Sequence, residues 1–162
     1  MVVGTKSGEL IVYDIAASAI LSTYTAHTSA VWGIHVRPDG RGLVSASADK
    51  DVKFWDFEMK ETDSGERIMN RLGQETIVSH LSSLALIKTD NQIKTKQLTL
   101  VHVRTLKLTD QVMAVKYSPD GRFLAVALLD MIVKIFFVDT LKLFIQLYGH
   151  RVGPSPLCMS QY

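Results

Sequence analysis

A thirteen-residue pattern recurs three times along this chain, and this repeat constrains the fold more than any other feature of the sequence. The stretch VVGTKSGELIVYD at residues 2–14 aligns with VSASADKDVKFWD at residues 44–56, and AVALLDMIVKIFF at residues 125–137 is a third copy. Internal repeats with periods of about 20–50 residues are typical of proteins built from stacked supersecondary units. We therefore expect each copy to be the centre of one such unit.

The segments that flank the pattern repeat as well. Pro-Asp-Gly-Arg occurs at residues 38–41 and again, in the same register, at residues 119–122. Proline presets its own backbone angle and glycine tolerates a positive one, so this tetrapeptide predicts a turn. The stretches on either side alternate in polarity and are rich in β-branched and aromatic residues, which indicates short strands.

Four short antiparallel strands repeating about every 40 residues form the pattern of a propeller blade. The predicted fold class is all-β: an incomplete β-propeller of about two to three blades of four antiparallel strands each, with a long insertion loop. Because closed propellers need ~4–8 blades, and because the repeat register breaks off at both ends, we expect the chain to be part of a longer protein.

These repeats resemble the WD-repeat family, and the residues that carry the resemblance are His27, Pro38-Asp39-Gly40, Asp49 and Trp55-Asp56. Members of that family have one hydrogen-bonded set of a histidine, a serine, an aspartate and a tryptophan. The resemblance assigns this structural tetrad to His27, Ser47, Asp49 and Trp55. The assignment is physically reasonable because a buried indole N–H needs an acceptor, and the other three side chains supply donors and acceptors in turn.

The third copy departs from this pattern. Leu108 stands where the second copy has His27, Leu128 stands where it has Ser47, and Phe136 replaces the tryptophan, while Asp130 retains the aspartate. We expect this blade to depend on apolar packing.

A narrower resemblance covers most of the chain. The strings GTKSGELIVYDIAAS, AVALLD, VKIFFVDTLK and LYGH are similar to the WD-repeat subunits of the small-subunit processome, the U3 snoRNP particle. The resemblance implies a non-catalytic scaffold in pre-rRNA processing and small ribosomal subunit biogenesis, located in the nucleolus or nucleus. Its partners would be processome proteins, with U3 snoRNA and pre-rRNA contacted indirectly, and with no cofactor, metal or small-molecule substrate. A WD-repeat adaptor of another complex is the alternative.

The repeat register also predicts the organisation of the chain. We expect a partial blade that lacks its first two strands (residues 1–27), then the first three strands of a second blade (28–57) and an irregular insertion (58–96). A closing strand (97–111), a further blade (112–150) and a frayed tail (151–162) follow. The insertion lacks the Pro-Asp-Gly turn and the closing Trp-Asp, so an insertion loop is favoured over a degenerate blade.

Two groups of residues have the types needed for catalysis or metal binding. His27, Ser47 and Asp49 are the residue types of a hydrolytic triad, but a serine in mid-strand has no exposed oxygen beside an oxyanion hole, so the structural role is favoured over a hydrolase. Three further histidines show no metal-ligand spacing and have no cysteine pair beside them: His35, His80 and His102.

Charge gives a weaker signal. The net charge of +2 is too small to predict nucleic-acid binding by itself. One cationic cluster could contact RNA phosphate, or could be the solvated face of an edge strand and loop: Lys88, Lys94, Lys96, Arg104 and Lys107.

Two observations concern the compartment. Cys158 is the single cysteine, so no intramolecular disulfide can form, and a reducing intracellular compartment is favoured. The most apolar window, residues 123–138, contains Asp130 and Lys134 and is shorter than the ~20 residues of a spanning helix, so no membrane association is predicted.

Overall fold

The computed structural model describes residues 1–63 and 94–148, with side chains for 1–60 and 97–148. These residues form eleven strands and no helix: β1 (Val2–Gly4), β2 (Glu9–Asp14), β3 (Ala19–Thr25), β4 (Val31–Val36), β5 (Gly42–Ser47), β6 (Asp51–Asp63), β7 (Lys94–Lys107), β8 (Val112–Tyr117), β9 (Phe123–Leu128), β10 (Val133–Phe137) and β11 (Leu143–Leu147).

The strands form three antiparallel sheets, which we call the first, middle and third blades. Their strand orders are β1-β2-β3, β4-β5-β6-β7 and β8-β9-β10-β11. The predicted all-β fold class with incomplete propeller blades is confirmed. The first blade has three strands, so the expectation that two of its strands are missing is wrong: β1 aligns with β5, the second strand of the middle blade.

The middle blade packs against a neighbouring blade on each of its two sides. In the middle blade, all six residues of β5 are buried. The side of the middle blade that carries Leu43 and Trp55 forms a cluster with Leu10 and Val12 of the first blade. The opposite side, with Val44 and other apolar residues, forms a larger cluster with the third blade: Ala46, Val52, Phe54, Val112, Val115, Tyr117, Leu124, Val126, Leu128, Phe136 and Val138.

The hairpin between the second and third strands turns through the same conformation in all three blades. Gly8, Lys50 and Met131 occupy equivalent positions and have positive φ angles of 91°, 72° and 66°. The first blade has a steric reason for glycine at this position, since a Cβ on Gly8 would lie 2.2 Å from the carbonyl oxygen of His27. The three copies of the repeat therefore share a positive φ angle at the same position.

The segment predicted as an irregular insertion, residues 58–96, is strand at both of its described ends. β6 continues to Asp63 and β7 begins at Lys94, so that part of the prediction is corrected. The chain divides into two compact units: a larger one formed by Met1–Glu58 and Leu98–Tyr162, and a smaller one formed by Met59–Gln97. Residues 64–93, with most of the predicted loop, and the predicted tail 151–162 lie outside the described residues.

Candidate functional site

A chain of buried hydrogen bonds connects the middle blade to the segment that enters it. The Trp55 Nε1–H donates to Ser45 Oγ at 2.9 Å, Ser45 Oγ lies 2.8 Å from His27 Nε2, and His27 Nδ1 lies 2.9 Å from Asp49 Oδ2. His27 is 3% exposed and Ser45 is 0% exposed. Because the Asp49 carboxylate can only accept, His27 Nδ1 carries the proton, and Nε2 of the neutral ring accepts the hydrogen bond of the Ser45 hydroxyl. Every member of the set has a partner.

The serine in this set is Ser45, so the assignment of Ser47 is wrong. Both serines lie on the same side of β5, and the strand register separates them. Trp55 lies opposite Leu43, so Ser45 is two residues away along the strand, roughly 7 Å, and Ser47 is four residues away, roughly 13 Å. Ser47 instead donates to the carbonyl oxygen of Ser29 at 3.1 Å.

Asp49 connects the turn between β5 and β6 to His27 and Thr28, which precede β4. Its Oδ1 accepts the N–H of Asp51 at 3.0 Å, and its Oδ2 accepts the N–H of Thr28 at 3.1 Å in addition to the His27 bond. Burial, the largest influence on this carboxyl, favours its neutral form, but these hydrogen bonds outweigh it, so the pKa of Asp49 lies below its usual value. The aspartate is therefore ionised at neutral pH.

His27 is neutral in the folded protein. Burial is the largest influence and lowers the pKa of His27 below its usual value, although the hydrogen bond and charge of Asp49 oppose the shift. The 2.9 Å contact between the two side chains has the geometry of a salt bridge, but at neutral pH it is a hydrogen bond from an uncharged imidazole to a carboxylate. In this protonation state, Nε2 of His27 is free to accept the proton of the Ser45 hydroxyl.

The third blade has apolar side chains at the equivalent positions. Leu108, Val126 and Phe136 replace His27, Ser45 and Trp55 by alignment, and all three belong to the cluster between the middle and third blades. Asp130 keeps one hydrogen bond of Asp49, its counterpart in the middle blade, since its Oδ1 accepts the N–H of Ile132 at 3.1 Å. The turn is thus retained where the polar set is lost.

The residues considered for a hydrolase do not form a triad. His27 bonds to Ser45, which is fully buried and already accepts the Trp55 proton. Ser47 is also buried, and its oxygen accepts the N–H of Asp49 at 3.1 Å. A nucleophile needs an accessible oxygen next to a base, and neither serine has one.

Arg104, predicted as a possible phosphate contact, lies between two blades. Its Nη2 donates to the carbonyl oxygen of Val138 at 2.6 Å and its Nη1 to that of Asp139 at 3.1 Å, while the guanidinium carbon lies 4.8 Å from the centre of the Phe54 ring. These contacts assign Arg104 to the packing of the third blade on the middle blade, and its contact with RNA phosphate stays a prediction.

The other members of the cationic cluster are four lysines. Lys107 is exposed on β7. Lys88 lies outside the described residues, as do the side chains of Lys94 and Lys96. RNA contact by these four lysines stays a prediction.

Two of the remaining histidines have structural contacts. His35 Nδ1 accepts the N–H of Tyr117 at 3.3 Å across the boundary between the middle and third blades, and burial, followed by the charge of Lys116, lowers the pKa of His35. The His102 ring lies 5.3 Å from that of Trp55. His80 lies outside the described ranges, within which no group of three or more potential ligands is placed to hold a metal ion.

Sequence reasoning missed two exposed apolar features. Trp32 is the extra residue of a β-bulge between Val31 and Gly33 and is exposed, which an alternating polarity pattern does not indicate. The outer strand of the third blade, β11, exposes all four of its apolar side chains, including Phe144. The sequence LFIQL of that strand, which contains no charge, was the available signal. Within residues 1–63 and 94–148, no helix is long and apolar enough to cross a membrane.

The fold agrees with comparisons to known proteins. The family model of the WDR3 second beta-propeller domain matches residues 1–161. WD repeat-containing protein 3 of Homo sapiens is 42% identical over 94% of this chain and 13% of its own length. U3 small nucleolar RNA-associated protein 12 of Saccharomyces cerevisiae is 39% identical over 94% of this chain and 14% of its own length.

The chain therefore spans 13–14% of the length of these relatives. The WD repeat-containing protein 3 homolog of Dictyostelium discoideum is 40% identical over 94% of this chain and 13% of its own length. The family model covers almost every residue, and the three blades of the structure agree with a propeller domain. This chain therefore belongs to the family of the WDR3 second beta-propeller domain.

Proposed function

We propose that this chain is a non-catalytic WD-repeat scaffold of the small-subunit processome and acts in pre-rRNA processing and small ribosomal subunit biogenesis. The observation that carries the proposal is the 39% identity, across 94% of the chain, to a yeast protein named for its association with U3 small nucleolar RNA. The partners are other processome proteins, and the location is the nucleolus or nucleus.

The proposed non-catalytic role is supported by the hydrogen bonds of the middle blade. The polar side chains with the residue types of an active site are each committed to a buried partner. A fully satisfied buried network rigidifies a blade, and a rigid blade presents its turns and edges to partner proteins. The contact with U3 snoRNA and pre-rRNA is indirect in this proposal, through those proteins.

Affinity purification from nuclear extract tests the proposal. The tagged chain is expressed in a eukaryotic cell, and U3 snoRNA is quantified in the eluate against an unrelated small nuclear RNA and an untagged control. We expect U3 snoRNA to be enriched about tenfold or more relative to the unrelated RNA. Enrichment no greater than that of the untagged control contradicts the processome assignment.

Ultraviolet crosslinking separates direct from indirect contact. Because Arg104 is committed to backbone carbonyls, we expect U3 snoRNA to co-purify without forming a crosslink to this chain. A strong crosslink that is lost in a Lys107→Glu variant would instead assign direct RNA contact to the cationic cluster.

A WD-repeat adaptor of another complex is the alternative. WD repeat-containing protein VIP3 of Arabidopsis thaliana is 26% identical over 92% of this chain, so the same blades occur in proteins with other names. Mass spectrometry of the same eluate distinguishes the two: recovery of one defined non-nucleolar complex, with no processome proteins, favours the adaptor.

A further inference from the structure

The first strand of the middle blade, β4, lies beside the first strand of the third blade, β8. A Cβ on Gly33 would lie 3.2 Å from the backbone nitrogen of Val115, so the two backbones approach closely where β4 has no side chain. Two residues farther along each strand, the rings of His35 and Tyr117 lie together, with centres 6.0 Å apart. We call the boundary formed by these four residues the inner seam.

The His35 ring supplies a hydrogen-bond acceptor to β8. This strand is at the edge of its sheet, so its free side carries backbone N–H groups that need partners from outside the sheet. The N–H of Tyr117 has such a partner, since it donates to Nδ1 of His35 at 3.3 Å. Tyr117 is 3% exposed, and a buried N–H without a partner is costly. The inner seam therefore depends on an acceptor at Nδ1.

Only the neutral imidazole can supply this acceptor. Because the donor is a backbone N–H, Nδ1 of His35 must present a lone pair, and the ring proton lies on Nε2. In the protonated ring both nitrogens are donors, so Nδ1 would direct a hydrogen at the Tyr117 N–H. The hydrogen bond across the inner seam is therefore lost when the ring gains a proton.

The surroundings of His35 oppose its protonation. Burial is the largest influence and lowers the pKa of His35, and the positive charge of Lys116 on β8 lowers it further. Val44, which lies opposite His35 on β5, is uncharged. A protonated ring would thus bring a second positive charge next to Lys116, and the neutral ring is the form that the inner seam accommodates.

The other ionisable groups on this side of β4 and β8 keep their charge as the pH falls from 7 to 5. Burial raises the pKa of Tyr117 to about 12, so its hydroxyl stays protonated. The hydrogen bond between Arg37 and Asp39 raises the pKa of Arg37 and lowers that of Asp39, so both stay charged. Arg37 also forms an ion pair with Asp56. His35 is therefore the member of the inner seam that titrates in this range.

We propose that His35 is a proton-sensitive contact between the middle and third blades, which joins β4 to β8 when the ring is neutral and releases β8 when the ring is protonated. The apolar cluster between the two blades includes Val52, Phe54 and Phe136 of the third strands, and these side chains do not titrate. The release is therefore local: the inner strands separate while the blades stay attached through the apolar cluster.

Hydrogen exchange of the Tyr117 amide, measured by NMR at a series of pH values, tests the proposal. The protection factor is compared, because it corrects for the pH dependence of exchange in an unfolded chain. The open seam binds a proton at the ordinary pKa of 6.5 and the closed seam at a lower one. We therefore expect protection to fall by up to about tenfold per pH unit as the pH drops from 6.5 through the folded-state pKa. Constant protection between pH 7 and pH 5 overturns the proposal.

Two substitutions of His35 separate its role as an acceptor from its charge. Asparagine has an oxygen near the position of Nδ1 and does not titrate, so His35→Asn should keep the Tyr117 amide protected and remove the pH dependence. His35→Leu removes the acceptor and should reduce the protection to the same extent at every pH. Both variants retain His27, so a pH dependence of Tyr117 protection that persists in them belongs to another group and overturns the proposal.

Lys116→Gln tests the electrostatic part of the proposal. Removal of this charge should raise the pKa of His35, measured from the NMR shifts of its ring protons, and should move the loss of Tyr117 protection to higher pH. Lys107→Gln, at an exposed lysine on the outer strand of the middle blade, removes the same charge away from the inner seam and is the matched control. Equal shifts in the two variants, or no shift with Lys116→Gln, contradict the proposal.

Discussion

The middle and third blades have the same strand order and are held together by different chemistry. In the middle blade, Trp55 is anchored through Ser45, His27 and Asp49, whereas in the third blade an apolar set occupies the matching positions. Buried polar networks are favourable only when every member is satisfied, and replacement of a whole network by well-packed apolar residues is often neutral. The comparison shows that the blade requires a filled interior and has two chemically distinct ways to fill it.

The first prediction breaks the middle-blade set at its centre and has the largest expected effect. Ser45→Val leaves the indole N–H of Trp55 and Nε2 of His27 buried without partners, so it should lower the free energy of unfolding by roughly 2–5 kcal/mol, measured by urea denaturation. The triple variant His27→Leu/Ser45→Val/Trp55→Phe imports the third-blade set and should lose less than the single variant.

The reverse exchange is the control for this comparison. Val126→Ser in the third blade buries a hydroxyl among Leu108 and Phe136, and should cost about 1–3 kcal/mol. If the triple variant loses as much stability as the sum of its single substitutions, the two sets are not interchangeable.

The second prediction concerns the turn beneath His27. Gly8→Ala places a Cβ 2.2 Å from the His27 carbonyl oxygen, which displaces the entry of the polar set and should cost about 2–4 kcal/mol by thermal or urea unfolding. Gly40→Ala is the matched control, since Gly40 has a φ of 70° with nothing within 4 Å of the added carbon. It should cost only about 1 kcal/mol. Equal losses of unfolding free energy in the two variants would show that the close contact between residue 8 and the His27 carbonyl does not affect stability.

The third prediction, with the smallest effect, uses pH. The pKa of His27 in the folded protein lies below its usual value of 6.5, so the unfolded chain binds more protons as the pH falls through this range. Stability is therefore full above pH 6.5 and falls as the pH drops from 6.5 through the folded-state pKa. His35 contributes in the same direction.

The triple variant separates the two histidines. It removes His27 and retains His35, so its loss of unfolding free energy between pH 7 and pH 5 should be smaller than that of the unsubstituted chain, measured by urea denaturation at each pH. An equal loss in the two proteins would assign the pH dependence to groups outside the polar set.

The repeat register predicted the blades, because a blade depends on spacing, and the resemblance to WD repeats supplied His27, Asp49 and Trp55 for the polar set. The apolar character of the third blade followed from Leu108 and Phe136. The serine could not be chosen in this way, because Ser45 and Ser47 share one side of β5 and differ only in their distance from Trp55 across the strand pair.

Contacts between blades were beyond the reach of a local pattern. The position of Arg104 between Phe54 and the Val138 carbonyl depends on how two blades stack, and the sequence showed only a cation near other cations. The extent of β6 and β7 was missed for a related reason, since KETDSGER has the composition of a loop and strand pairing overrides that composition up to Asp63.

The length of β6 and β7, thirteen and fourteen residues, has a consequence for how this family tolerates added sequence. The two strands are neighbours in the middle blade, and the entropic cost of joining the ends of a flexible connection grows only logarithmically with its length. Two neighbouring strands of this length can therefore remain in the blade while the connection between them changes in length. This hairpin is the natural place for evolution, or for an engineer, to graft a new module without disturbing the rest of the repeat.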